Sequence, residues 1–141
     1  MHSFESESTI AASPAEVWAV LSRASEWPDW DSGVDAVEGT VGPGAKVTVR
    51  SHVAPTRAFP VKVTEFAPSR SMVFTGGMPL GLFRGVRTYT VTPVDSGSTK
   101  FTMREEYSGP LLGMIGKSIP DLSDSFRQFA EGLKGRVERG A

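Results

Sequence analysis

The chain has 141 residues, 39% hydrophobic and 22% charged, with fifteen lysines and arginines against sixteen acids and a net charge of −1. These are the proportions of a globular protein, and without a basic excess neither nucleic acid nor an anionic membrane is indicated as an obligatory partner. The absence of cysteine excludes disulfides, thiol nucleophiles and thiolate metal sites, while the lack of a leader pattern or long apolar run predicts a cytoplasmic protein with no integral membrane association.

The length predicts one domain over residues 1–141. Phe4 to Ile10 reads as a first strand. Ser13-Pro14-Ala15-Glu16 then supplies a helix N-cap, a proline at the first helical position and the acid that completes a capping box. A short helix should follow to about Arg23, burying Val17, Val20 and Leu21. Trp27-Pro28-Asp29-Trp30 bends the chain after it, because Pro28 opposes simple helical continuation.

From Val34 onward the period becomes two. A strand near Val34 to Gly39 leads to the Val41-Gly42-Pro43-Gly44 turn. Lys46 to Val53 then alternates, with Val47, Val49, Ser51 and Val53 on one face and Lys46, Thr48, Arg50 and His52 on the other. Pro60 to Phe66 directs Val61 and Val63 inward, and Ser71 to Met78 puts Met72 and Phe74 on one face. The segments Phe83 to Val94 and Ser98 to Tyr107 flank Asp95-Ser96-Gly97, a hairpin connection. Centring the turn on Ser96 sets Val91 opposite Phe101, Tyr89 opposite Met103 and Arg87 opposite Glu105. All six share one parity, four of them large and apolar, so Arg87 and Glu105 fall on the core-facing side.

The last segment changes period again. Ile119, Leu122, Phe126, Phe129, Leu133 and Val137 recur in steps of three or four, with Leu112 and Ile115 continuing the stripe upstream. Roughly 20 residues give roughly 30 Å of helix, kinked or divided around Gly113, Gly116 and Pro120. The predicted class is α+β: a curved antiparallel sheet of about six or seven strands gripping a long C-terminal helix, with a short helix pair after strand 1. A helix lying in the hollow of a curled sheet need not fill it, so a cavity is expected between them.

Ser-Pro-Ala-Glu-Val-Trp (13–18), Trp27-Pro28-Asp29-Trp30, Gly42-Pro43-Gly44, Tyr89-Thr90-Val91-Thr92-Pro93 and Glu105-Glu106-Tyr107-Ser108-Gly109 follow in that order. The chain thereby resembles the START/Bet v 1-like (SRPBCC) superfamily, in its polyketide cyclase/dehydrase branch, from about Phe4 to Arg139. The resemblance implies a helix-grip fold with an apolar cavity for lipids, polyketides, sterols or other hydrophobic small molecules. Some relatives catalyse cyclisation or dehydration and many only bind, so the site must decide between them.

The expected cavity wall comprises Trp30, Val49, Val63, Met72, Phe74, Tyr89, Met103, Ile115, Ile119, Leu122 and Phe126. Arg87, Glu105 and Tyr89 are the candidate catalytic or orienting groups, the arginine for a carboxylate or enolate and the glutamate for proton transfer. The same pair also suits a plain ion pair that fixes strand register. Tyr107 is a further possible donor. His2 and His52 are the only histidines, one terminal and one on an outward parity, so neither a metal site nor a Ser-His-Asp triad is expected. No cofactor is implied. The expected partner is a hydrophobic small molecule, and the protein a monomer or homodimer. A protein-interaction module is the remaining alternative. Met78 to Phe83 and Leu111 to Ile115 are apolar yet punctuated like exposed turns, which suits a mobile lip admitting hydrophobic ligand, a membrane or partner contact, a homodimer patch or simple packing between the two segments.

Overall fold

A computed structural model describes residues 2–51, 59–119 and 121–140. His52, Val53 and Pro120 lie outside the described residues, so the faces expected for the first two stand as sequence readings.

Strands β1 (His2–Ile10), β2 (Val34–Glu38), β3 (Lys46–Ser51), β4 (Phe59–Ala67), β5 (Ser71–Gly77), β6 (Arg84–Asp95) and β7 (Ser98–Ser108) form one seven-stranded antiparallel sheet. Its spatial order is β1-β7-β6-β5-β4-β3-β2. Each strand from β2 to β7 therefore lies beside the next in sequence, and only β1 crosses over, to pair along β7 from His2↔Tyr107 to Ile10↔Thr99. The last hairpin has the expected register, with Val91↔Phe101, Tyr89↔Met103 and Arg87↔Glu105 as partners.

Helix α1 (Pro14–Leu21) starts where its capping box directs: the Glu16 N–H donates to Ser13 Oγ and the Ser13 N–H to Glu16 Oε1, both at 3.2 Å. A 3-10 turn, Ala24–Asp29, follows and buries Trp27. The C-terminal region is divided, as expected, but its long helix starts later than the expected Ile119. Helix α2 (Leu112–Ile115) and a 3-10 turn (Gly116–Ser118) are separated from helix α3 (Ser123–Glu138). Ile119 is extended, at φ −77° and ψ 121°, the conformation favoured for a residue that precedes proline. The long helix is thus 16 residues, about 24 Å, and Leu122 stands at its N-cap rather than within it.

Two features set α3 against the sheet. The Ser8 hydroxyl of β1 donates to the Ala130 carbonyl at 2.9 Å, and Lys134 Nζ donates to the Thr9 carbonyl at 2.8 Å. On the other flank, Gly132 lets the helix approach the Asp31 carbonyl so closely that a Cβ would overlap it. The stripe Phe126, Phe129, Leu133 and Val137 is buried as a result. Phe129 sits centrally: its ring centroid lies 4.9 Å from Trp27, 5.1 Å from Trp30, 5.7 Å from Tyr89 and 6.0 Å from Phe101. Such ring pairs add about 0.5–1.5 kcal/mol each beyond the area they bury.

Candidate functional site

Strand alternation carries Arg87 and Tyr89 of β6 and Glu105 and Tyr107 of β7 to the concave face beside the N-terminal end of α3. Arg87 Nε donates to Glu105 Oε1 at 2.7 Å, and the guanidinium carbon lies 4.7 Å from the centre of the Phe126 ring. The two charged side chains are 26% and 12% exposed, sheltered yet still reachable from solvent. Tyr89, one step deeper on the strand, is fully enclosed and places its hydroxyl against the guanidinium. Tyr107 sets its phenol near Glu105 from the other side. Its ring stacks on Phe83 at 5.7 Å and meets Phe4 edge-on at 6.4 Å. The cross-strand partner of Tyr107 is Gly85, where a Cβ would stand 3.1 Å from Tyr107 Cε1; the bare glycine makes room for the ring.

Burial works against the charge on Arg87, but the Glu105 carboxylate and the Tyr89 hydroxyl outweigh it and hold the guanidinium above its ordinary range. Burial raises the Tyr89 phenol, with Arg87 pulling the other way. Burial and then the negative charge of Glu105 raise Tyr107 well above an ordinary tyrosine. At neutral pH the cluster therefore presents one cation and two protonated phenols around Glu105. Guanidinium N–H groups not engaged by Glu105 and phenolic O–H groups are donors suited to a carbonyl or carboxylate; an ionised carboxylate is an acceptor of protons.

The structure gathers Arg87, Glu105, Tyr89 and Phe126 from the expected set into this cluster, with Phe74 5.2 Å from Tyr89. Val63, Met72, Phe74, Met103 and Phe126 are closed into the core and Leu122 is half-buried against it, while Val49, Ile115 and Ile119 are half-buried without packing on that core. Trp30 makes its ring contacts with Phe129, and its indole Nε1 is buried without a partner among the described residues. The middle of the sheet–helix interface is filled by rings. An open groove of about 690 Å³ lies instead across the ends of β3 to β6, lined by Val61, Gly76, Met78, Phe83 and Arg84 among others and by no residue of α3. Phe4, Phe83 and Gly85 join the cluster without having been singled out in the sequence. Phe4 shares the parity of Ser6 and Ser8, whose polarity hides the alternation of β1. The parity of Gly85 with Arg87 was the only available sign of its place. Among the described residues, no group of three or more His, Asp or Glu side chains is placed to hold a metal ion, and no helix is long and apolar enough to cross a membrane.

A hollow, seven-stranded sheet closed by one C-terminal helix defines the helix-grip class. The model of the family described as "Polyketide cyclase / dehydrase and lipid transport" matches residues 1–138, and the chain belongs to that family. Members of this family bind hydrophobic ligands or act as cyclases, so membership by itself does not say which of the two acts a member performs. A search of curated proteins found no match.

Solved structures resemble it throughout. A START superfamily protein from Mycobacterium smegmatis superposes with a TM-score of 0.73 at 14% identity, covering 100% of both chains. The Zhui aromatase/cyclase from Streptomyces sp. R1128 gives 0.76 at 16% identity, covering 98% of this chain and 94% of its own. Norcoclaurine synthase from Thalictrum flavum gives 0.69 at 18% identity, covering 99% and 95%. At these identities the likeness establishes the fold alone.

Proposed function

We propose that this protein is a cytoplasmic binder of a hydrophobic small molecule, held on the concave face beside the N-terminal end of α3. The observation that carries this reading is the Arg87–Glu105 pair, core-facing and set against Phe126 yet partly open to solvent. Because Glu105 Oε1 engages Nε, other N–H groups of the guanidinium remain for a ligand carbonyl or carboxylate. Arg87 and Tyr89 orient the polar end of the ligand. Phe126 supplies the apolar contact beside the pair, Met72, Phe74 and Met103 form the closed core behind it, and Val49, Ile115, Ile119 and Leu122 part to admit the ligand.

A second reading is favoured by the flanking of Glu105 by both Arg87 and Tyr107: a cyclase- or dehydratase-type enzyme in the same place. Glu105 would take a proton from the carbon next to a carbonyl while Arg87 and Tyr89 stabilise the enolate oxygen. That two of the structural neighbours are enzymes, an aromatase/cyclase and norcoclaurine synthase, supports giving this reading a test.

Native mass spectrometry of freshly purified protein, followed by solvent extraction, is expected to release a hydrophobic compound. Arg87→Ala should weaken rebinding of that compound about tenfold, or about 1.4 kcal/mol; unchanged rebinding would reduce Arg87 to a register-fixing ion pair. Glu105→Gln separates the readings. A binder retains its affinity, whereas an enzyme loses about 10²–10⁴-fold in turnover.

A further inference from the structure

We infer that this protein docks on anionic lipid bilayers through an apolar tip built from residues 78–83 and 109–115. Leu80 is 96% exposed and Met114 70%, with Met78 and Leu82 also open to solvent. The two segments are tied together: the Leu111 N–H donates to the Leu82 carbonyl at 2.9 Å, and Gly109 lies so close to the Leu82 carbonyl that a Cβ there would stand 2.6 Å from it. The tip is therefore one projection with apolar ends rather than two loose loops.

Leu80 is unusual in a second way. Its φ is +62°, a left-handed conformation that asparagine and aspartate tolerate far better than leucine. Neither burial nor backbone preference accounts for a leucine at this position. An apolar phase outside the protein does.

Charge identifies that phase. Residues 71–94 and 107–120 contain no acid at all. Besides Arg87, which is paired with Glu105, they contribute Arg84 and Lys117, and the groove beside the tip adds Lys46 and Lys62, with no carboxylate among its lining residues. None of these four cations is ion-paired to a described carboxylate. A chain of net charge −1 thus turns a locally positive, apolar-tipped end outward, which complements the surface of a bilayer carrying anionic headgroups. Docking by this end goes beyond ligand binding at the concave face.

The test is co-sedimentation with phosphatidylcholine vesicles with and without added phosphatidylglycerol. Binding is expected to be at least about tenfold stronger to the anionic vesicles and to fall away between about 50 mM and about 500 mM salt. Leu80→Asn should abolish it while leaving the thermal midpoint unchanged or higher, because asparagine suits the left-handed backbone. Arg84→Glu combined with Lys117→Glu should remove the preference for phosphatidylglycerol. Equal sedimentation with both vesicle types, or full binding by Leu80→Asn, overturns the inference. So does a dimer that Leu80→Asn converts to a monomer on sizing chromatography, since a second copy would then be what covers the tip.

Discussion

Arg87, Glu105 and Tyr107 gain their properties from one another. Each carries polar groups into a sheltered place: the guanidinium donates to the carboxylate, and the phenol feels the carboxylate's charge. The Tyr107 phenol has a consequence that can be measured. Its pKa is raised in the folded protein, by burial and then by Glu105, whereas an unfolded tyrosine titrates near about 10. A raised pKa means that the folded state keeps its proton when the unfolded state has lost it. The resulting stability is fully present below about pH 10 and is lost as pH rises toward the folded value. Tyr107→Phe should cost about 1 kcal/mol at pH 8, from the lost polar interaction of the phenol with Glu105. The same variant should fall less steeply above pH 10, where the remaining decline comes from Tyr89, also raised by burial. Urea midpoints across the alkaline range read both effects.

Helix α3 shows how two residues of one type, three positions apart, answer opposite demands. Gly132 faces the Asp31 backbone, where a Cβ would overlap the carbonyl. At Gly135 a Cβ would meet only the Arg139 guanidinium, at 2.9 Å, the far end of a flexible side chain. Gly132→Ala should therefore push the helix from the 30–32 segment and lose about 1–3 kcal/mol. Gly135→Ala should gain about 0.5–1 kcal/mol by raising helix propensity. Urea denaturation of the two single variants checks the contrast; equal effects would mean that the close approach at Gly132 does not govern packing.

The molecule divides along α3. Around Phe129 the interior is solid, with Trp27, Trp30, Tyr89 and Phe101 in ring contact. Toward Phe126 it carries charge and approaches solvent. Phe129→Ala should remove about 3–5 kcal/mol of stability, measured by the same denaturation, because the ring it deletes joins the 3-10 connector and Trp30 to the sheet. Rigidity at one end leaves the other free to hold a ligand without endangering the fold.

Local pattern alone determined much of this protein. The capping box at Ser13 placed α1, and the turn at Ser96 set Arg87 against Glu105, because hairpin register depends on a few adjacent residues and a period of two. Where a pattern had to be extended over a break, it misled: the apolar stripe runs on through Ile119, but the residue before a proline avoids helix and α3 begins at Ser123. Only the tertiary structure decided that Phe4 meets Tyr107 and Phe126, that Gly132 meets Asp31, and that rings fill the interior beneath α3. Those contacts join residues far apart in the chain, through a crossover strand and a helix whose relative position no local periodicity encodes. Periodicity tells each side chain which face it occupies; what stands opposite that face is settled when the sheet curls and the helix is laid across it.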